Sequence, residues 1–542
     1  MNLPFILEVG IGLLFIYLTL SLLASEFQEL LTTVLQWRAK HLREAIEILI
    51  AGESKPPLDS NASQTQEISA EIEHSRSLAT TLYNHPLLKS LNQEAKGLVG
   101  QLGQFVSRAM GLVNVFDGQS SGPSYIPSET FADTLINTLH LDELTQKLSE
   151  IKLYQFIHDK LLPTITELVD DLRNSKGNGR LLQRELQILA TELDDVYQDF
   201  AGRQLSLAVA FERTAASLKR FIAAAEATLP EADHLCQRFL KRLGSFDRDI
   251  PSLIEEMIPS VSEVIGELKN LSWVAQKLQQ GGDPRLMLAR MTDEAQRVRF
   301  QQGYPLLQAM NQAIKSPDQK SVNYDQILVQ TPPHVLSSLE TMAKLVQDRT
   351  LTDIQAGLHE LQREIAAWYD RAMDRASGVY RRNAKGVALI IGFLLAVATN
   401  TDTLHVIQRL AKEPTLRETY SQAATALVER NPEAIACFNA TDNRAEQNKC
   451  LKEGGINASA TDLSQALDQA TDLPLGWANN NWQEQWQPNR RGIFASVFYL
   501  VVGWATTGIA IAMGAPFWFD LIQKVVGARN AGNRPSSTTN GR

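Results

Sequence analysis

The chain has 542 residues, of which 44% are hydrophobic and 21% charged, and its formal net charge is −9. This composition excludes a wholly disordered chain, and the acidic balance disfavours a general nucleic-acid binder. Three cysteines are too few for a disulfide-rich secreted scaffold. A mean hydropathy of −0.16 excludes a protein that is mostly buried in a membrane, but it allows a few spans within a large polar chain.

Residues 1–24 are predicted to form the first transmembrane helix. The stretch from Val9 to Ala24 carries no charge, and with the apolar residues before it reaches the ~20 residues that a bilayer core requires. The alternative is a cleavable signal peptide, which should open with cationic residues. No Lys or Arg precedes Arg38, so we favour an uncleaved anchor.

Residues 25–383 are predicted to form a large helical bundle. Apolar residues recur at spacings of three and four, and no alternating β-branched run marks a strand. The clearest series of apolar residues runs from 182 to 200 and resumes after Gly202. We interpret it as a packed bundle core in preference to an intermolecular coiled coil. The residues of the series are Leu182, Leu186, Leu189, Leu193, Val196 and Phe200, then Leu207, Phe211, Thr214, Leu218 and Phe221.

Several breaks divide the predicted bundle. Pro163 is expected to kink or restart a helix, and the Gly- and Asn-rich residues 174–179 predict a turn between two antiparallel helices. Composition predicts flexible loops at 52–80, 111–128 and 316–333.

The segment from Val335 to Arg382 is expected to lead into the second span, interrupted only near Ser377 and Gly378. Opposed charges and an aromatic residue crowd its juxtamembrane part, which could bind lipid headgroups or a partner helix. A solvated helix face is the simpler interpretation, and we favour it. The candidate interaction residues are Trp368, Asp370, Arg371, Asp374 and Arg375.

The second and third transmembrane helices are predicted at 384–400 and 492–516. The second is short for a bilayer, so a buried core helix is its alternative. Asp402, just beyond it, is expected in the headgroup region rather than along a pathway. The third ends in aromatic residues suited to a membrane interface, namely Phe517, Trp518 and Phe519.

Lysines and arginines near the three spans are biased in one consistent direction. The rule that cytoplasmic flanks are basic places the N-terminus outside, 25–383 in the cytoplasm, 401–491 outside and the tail 517–542 in the cytoplasm. The flanking residues on the predicted cytoplasmic side include Arg38, Lys40, Arg43, Arg371, Arg375, Arg381, Arg382, Lys385, Lys524, Arg529 and Arg534.

The predicted extracytoplasmic domain 401–491 contains Cys437 and Cys450, whereas Cys236 falls in the bundle. An oxidising compartment favours a disulfide between the first two. Two unpaired cysteines are an alternative, and a zinc site is disfavoured because no histidine lies near. Three tryptophans at 477, 482 and 486 precede the third span, either at the interface or in a small core.

The chain resembles a family of bacterial three-span membrane proteins of uncharacterised function, with one N-terminal span and two near the C-terminus. The strongest landmarks are the blocks 368–382 and 514–521, the latter reading Gly-Ala-Pro-Phe-Trp-Phe-Asp-Leu; Tyr369 and Val379 depart modestly from the pattern. The resemblance implies the topology and a bacterial origin, without an activity. Other landmarks are Leu20–Glu26, Trp37–Lys40, His85–Leu87, Pro123–Pro127 with Phe131, Asn400–Thr403 and Leu473–Trp477.

No motif for catalysis, cofactor binding or metal binding is found in the sequence, so an enzyme would need residues brought together by the fold. The leading hypothesis is a membrane-anchored helical scaffold or adaptor that couples the bundle to a small extracytoplasmic domain. Its expected partners are the lipid bilayer and either further copies or other membrane and cytoplasmic proteins, without nucleic acid or a small-molecule substrate. The alternative is a subunit of an oligomeric channel or transport complex. The expected location is the bacterial cytoplasmic membrane or an equivalent internal membrane.

Overall fold

The structure is a computed structural model of the whole chain. It describes residues 3–34, 37–52, 62–91, 123, 125–230, 232–281, 283–314, 323–347, 354–454, 456, 475–477, 479–486 and 492–532. Every regular element in these ranges is helical, so the predicted all-α class is confirmed. The described residues fall into two compact units. We call the described residues of 39–94 and 114–375 the bundle unit, and 3–38 together with 376–532 the terminal unit.

The bundle unit begins within the second helix and ends within the long helix α16. Its helices are α2 (Trp37–Ala51), α3 (Ala62–Asn84), α4 (Pro86–Lys89), α5 (Ser128–Thr138), α6 (Leu141–Tyr154), α7 (Leu162–Lys176), α8 (Gln183–Ala201), α9 (Leu207–Thr228), α10 (His234–Met257), α11 (Val261–Gln279), α12 (Pro284–Arg290), α13 (Glu294–Ala313), α14 (Tyr324–Gln330), α15 (Pro333–Gln347) and α16 (Ile354–Ala398).

Helix α11 is the centre of the larger of two apolar cores in this unit. It packs against α13, α14 and α15. Its apolar residues recur at helical spacing and are buried, including Ile265, Leu268 and Leu271. A capping box at Ser260 and Glu263 fixes its first turn, because each side chain accepts a hydrogen bond from the other residue's backbone amide.

The second core of the bundle unit contains the heptad-like series. Leu189, Leu193, Val196 and Phe200 of α8 are buried, and α8 packs along α9. Within this chain the series therefore forms a bundle core. The predicted hairpin about 174–179 needs correction, because α8 pairs chiefly with α9 while α7 pairs with α10. The turn itself is present, with Gly177 in the left-handed region at φ 65°.

Pro163 restarts a helix as expected. A π-helical segment, Gln155–Leu161, directly precedes α7, and Pro163 lies in the first turn of α7. Proline lacks an amide hydrogen and is tolerated there.

Two of the predicted loops are partly helical. Within 52–80, α3 begins at Ala62 and buries Leu78 and Ala79; residues 53–61 lie outside the described residues. Within 316–333, Tyr324–Gln330 is helical, while 316–322 are not described. Composition does not distinguish these polar helix faces from loops. Residues 111–122 of the other predicted loop also lie outside the described part of the chain.

The terminal unit contains the apolar helices. Its helices are α1 (Leu3–Val34), the end of α16, α17 (Thr403–Lys412), α18 (Pro414–Arg430), α19 (Pro432–Asn439), α20 (Arg444–Glu453), α21 (Asn479–Gln485), α22 (Ile493–Ala512) and α23 (Ala515–Gly532). The stretches Phe5–Glu29 and Ile493–Ala512 are long and apolar enough to cross a membrane. A third candidate is the pair Ala384–Ala398 and Thr403–Lys412, which is bent by 51°. These helices are compatible with a membrane protein.

Residues 401–491 do not enclose a core of their own in the described part of the chain. Helices α17 to α20 share one apolar core with α1, α22 and α23, which differs from the separate domain expected from sequence. Cys437 of α19 and Cys450 of α20 are joined by the predicted disulfide, with their Cα atoms 5.7 Å apart. Cys236 is free and buried.

Candidate functional site at the break between α16 and α17

The candidate site is the segment Asn400–Thr403, at the four-residue break (399–402) between α16 and α17 inside the terminal unit. Helix α16 ends at Ala398, and Asn400 takes the left-handed conformation, with φ 44°. Asn residues tolerate this region better than most others. Asn400, Thr401 and Thr403 are all buried. A helix end buried in this way leaves backbone carbonyls that need donors from elsewhere in the protein.

The carbonyls at the end of α16 receive those donors from residues that are distant in the sequence. The indole nitrogen of Trp477 donates to the oxygens of Val397 and Ala398, at 3.2 and 3.0 Å. The backbone nitrogen of Gly476 donates to the oxygen of Thr399 at 2.7 Å. The break is therefore stabilised by donors from within the protein.

The side chain of Asn400 holds two further segments at the break. Its Nδ2 donates to the oxygen of Gly476 at 3.0 Å, and its Oδ1 accepts from Trp504 Nε1 at 3.2 Å. Trp477 also lies beside Trp504, with ring centroids 5.9 Å apart. The tryptophans at 477, 482 and 486 form a continuous ring cluster, since 477 contacts 482 and 482 contacts 486.

Asp402 begins α17. Its Oδ1 accepts hydrogen bonds from the backbone nitrogens of Leu404 and His405, at 2.8 and 3.3 Å. The side chain is only 6% exposed, so the chain itself surrounds the carboxyl group. The carboxylate is stabilised there by the amides and the positive end of the helix dipole.

Gly503 of α22 makes room for that carboxylate. A Cβ atom at this position would lie 1.8 Å from Asp402 Oδ1, far inside van der Waals contact. Nearby, a Cβ at Gly508 would lie 2.9 Å from the Cα of Phe393, so α16 and α22 cross closely. Glycine at these two positions of α22 therefore allows a close approach between segments of one chain.

Three hydroxyl groups join α1, α17 and α22. Tyr17 Oη lies 2.8 Å from Thr403 Oγ1, which lies 2.7 Å from Thr507 Oγ1. Thr507 Oγ1 also donates to the oxygen of Thr401 at 2.8 Å and accepts from the nitrogen of Thr403 at 3.1 Å. Buried hydrogen bonds of this kind fix the register of apolar helices, which dispersion forces alone specify weakly.

The predicted interaction residues of α16 lie elsewhere, in the bundle unit. Asp370, Arg371, Asp374 and Arg375 are exposed, whereas Trp368 is partly buried against the bundle core. Its neighbour Tyr369 is fully packed and stacks on Phe131, with centroids 4.4 Å apart. The exposed charges agree with a solvated helix face, and Trp368 serves in packing.

Two of the three aromatic residues predicted at a membrane interface are packed inside the chain. Trp518 and Phe519 are buried by the chain itself, and Phe517 is partly buried. Trp518 Nε1 donates to the oxygen of Ala510 at 2.7 Å, and its ring lies 4.8 Å from that of Tyr17. Phe519 packs against Phe438, 5.2 Å away. Position at the end of an apolar stretch did not reveal that these rings pack inward.

Sequence reasoning marked Asn400–Thr403 as a landmark but missed its partners. Gly503 and Thr507 lie in an apolar span, where Gly and Thr are common, so only the fold identifies their contacts.

Among the described residues, no three His, Cys, Asp or Glu side chains come close enough to hold a metal ion. No protein-family model matches the chain, and neither the curated proteins nor the solved structures contain a match. The family resemblance stays a hypothesis based on motifs.

Proposed function

We propose that the protein is a membrane-anchored helical scaffold or adaptor. The observation that carries this proposal is that one helix, α16, contributes to two cores. Leu361, Ile365 and Tyr369 are buried in the bundle core, and Ile391 and Ala396 are buried in the core of the terminal unit. The helix has no break at Ser377 and Gly378, where an interruption was expected.

A helix that belongs to both cores can pass a change in one unit to the other. Its backbone hydrogen bonds are internal, so bending it sharply requires a proline, a bulge or a comparable defect. Partners that bind the bundle surface would in this way be linked to the membrane helices. The basic flanks of the spans support a cytoplasmic position for the bundle, in a bacterial inner or equivalent internal membrane.

The test is isolation of the tagged full-length chain from native membranes in mild detergent, followed by native mass spectrometry. We expect a reproducible assembly, either of several copies or with a stoichiometric partner. The matched variants are Gly378→Pro, which breaks α16, and Gly378→Ala, whose added Cβ meets no atom within 4 Å. We expect the assembly to survive in the alanine variant and to lose occupancy in the proline variant.

A wild-type chain that is always a lone monomer would overturn the scaffold proposal. Full retention of the assembly in the Gly378→Pro variant would instead overturn the coupling role of α16.

The second candidate is a subunit of a channel or transport complex, and the buried break at Asn400–Thr403 is the observation that favours it. Discontinuous membrane helices with polar residues at the break are typical of transporter binding sites. Under this alternative, Asp402→Asn should abolish conductance or solute flux in reconstituted bilayers. Under the scaffold proposal, the same variant should leave the co-purified assembly unchanged. A wild-type protein without conductance under voltage or tension would set the transport candidate aside.

A further inference from the structure

Both ends of the first apolar helix form ion pairs with the segment that follows the break. Near its start, Arg417 Nε of α18 lies 3.0 Å from Glu8 Oε2. Near its end, Lys452 of α20 lies 3.0 Å from Glu26 Oε1 and also pairs with Glu29. The segment from α18 to α20 therefore extends along α1 from one end of its apolar stretch to the other.

Packing between these ion pairs is continuous. Tyr420 of α18 lies against Phe15, with ring centroids 6.1 Å apart. A Cβ at Gly12 would lie 3.4 Å from Tyr420 Cβ, so the two helices approach closely there. Further along α18, Ala423, Ala424 and Leu427 are buried in the same core.

The length of α1 between its two ion pairs can be compared with the thickness of a membrane. Glu8 and Glu26 are about 27 Å apart along a helix that rises 1.5 Å per residue. This distance is close to the thickness of a bilayer hydrocarbon core, ~30 Å. If α1 crosses the membrane, as its composition indicates, then α18 lies within the same thickness.

The face of α18 that points away from the core is polar. Glu418, Gln422 and Glu429 are exposed on it. The outward face of α22 is very different, since Phe494 is 94% exposed and Phe498 is 66% exposed. Large apolar side chains suit contact with lipid, whereas a charged side chain facing lipid at membrane depth is strongly unfavourable.

We infer that α18 crosses much of the membrane thickness beside α1 and that its polar face lines a water-filled cleft. Glu418, Gln422 and Glu429 would form the polar wall of this cleft, which would admit water. This placement replaces the expectation that all of 401–491 lies outside the membrane. It does not rest on the scaffold proposal, because a scaffold and a transport subunit could both contain such a cleft.

The test is cysteine labelling of the full-length chain in lipid nanodiscs, where both membrane faces are open to solvent. The background is Cys236→Ser, with the native disulfide between Cys437 and Cys450 left intact. A charged, membrane-impermeant methanethiosulfonate is the probe, because it reacts with thiolates in water and scarcely with thiols in lipid. The test variant is Gln422→Cys, the lipid-facing control is Phe498→Cys, and the water-exposed control is Arg285→Cys on α12.

We expect Gln422→Cys to react within roughly tenfold of the rate of Arg285→Cys, and Phe498→Cys to react about a hundredfold more slowly. A rate for Gln422→Cys as low as that of Phe498→Cys would overturn the water-filled cleft. A rate for Phe498→Cys as high as that of Gln422→Cys would overturn it too, because the helices would then not lie in lipid. Each variant is compared with the parent by its thermal unfolding curve, so that only folded protein is scored.

Discussion

In the bundle unit, aspartates begin helices at the protein surface, whereas in the terminal unit an aspartate begins a helix inside the protein. Asp283 and Asp293 each accept a hydrogen bond from a backbone amide two residues later, and both are exposed. Asp402 makes the same local contact but is almost fully buried. The same capping contact therefore occurs in two environments. Water solvates the charge of Asp283 and Asp293, whereas the protein itself must solvate the charge of Asp402.

The two interiors differ in the same way. The bundle core around α11 is built mainly of leucine, isoleucine and valine side chains, with aromatic rings and isolated polar contacts such as that of Ser272 Oγ to the oxygen of Leu328. The terminal unit, by contrast, has a chain of hydroxyl contacts in its interior, from Tyr17 through Thr403 to Thr507. We conclude that the bundle depends mainly on filled apolar volume, while the terminal unit depends on close helix approach and satisfied polar groups.

The strongest test of this contrast is Gly503→Ala. The new methyl group would overlap the carboxylate of Asp402, which is already held by two amides, so the helices would have to move apart. We expect a loss of about 3 kcal/mol or more in the free energy of unfolding, with little folded protein in detergent. Gel filtration and thermal unfolding in mild detergent would measure this.

The matched control is Gly386→Ala, also in the terminal unit, whose Cβ would meet nothing within 4 Å. We expect it to be neutral or to stabilise α16 by about 0.5–1 kcal/mol. Equal behaviour of the two variants would mean that the approach of Asp402 to α22 is unimportant.

The next largest loss of stability is expected from a cavity in the bundle core. Leu271→Ala empties a fully buried site on α11, and we expect a loss of about 2–5 kcal/mol in the free energy of unfolding. Urea denaturation followed by circular dichroism would measure the change. Leu286→Ala, at a residue that is 56% exposed, is the control and should change little. A small effect at Leu271 would contradict a bundle held by filled apolar volume.

Loss of one hydroxyl should show how far the terminal unit depends on polar contacts. Thr507→Val keeps the shape of the side chain but leaves the nitrogen of Thr403 and the oxygen of Thr401 without their partner. We expect a loss of about 1–3 kcal/mol, seen as a lower unfolding temperature in detergent.

Thr506→Val is the matched control, because Thr506 is exposed and bonds only to the oxygen of Val502 in its own helix. A similar shift in both variants would argue that the interhelical hydroxyls add nothing.

The sequence predicts features that depend on local spacing better than contacts between distant residues. Helical periodicity predicted the all-α class and the buried face of α8, because those features depend on local spacing. The bond between Cys437 and Cys450 was also predicted, although α20 pairs with the Glu26 end of α1, which the basic flanks assign to the cytoplasmic side. Trp477 donates to the end of α16 and Thr507 donates to the break, from 80 and 106 positions away in the sequence. No local pattern encodes such pairs.

The packing of the aromatic residues, by contrast, could not be predicted from the sequence. The same residue types suit a membrane interface and a packed core, so position beside an apolar stretch did not decide between them. Trp518 is buried because its ring fits against Tyr17 and its nitrogen meets the oxygen of Ala510. That environment is created by helices that are far apart in the sequence.

The smallest expected effect concerns a histidine in the bundle unit. Burial lowers the pKa of His140 below its usual value near 6.5, and its effect outweighs the opposing influence of Glu143. The unfolded chain therefore takes up a proton at a higher pH than the folded chain does. The stabilising contribution is full above pH ~6.5 and is lost as the pH falls below that value. We expect a small loss of stability between pH 7.5 and pH 5.

His140→Asn should weaken this dependence without disturbing the backbone, since φ at this position is 51° and asparagine tolerates the left-handed region. Hydrogen exchange of the α6 amides at the two pH values would provide the measurement. Some dependence of stability on pH should persist in this variant, because burial also lowers the pKa of His85. An unchanged pH dependence in the asparagine variant would show that protonation of His140 is not coupled to folding, so that the bundle's stability reflects apolar packing without a contribution from this buried ring.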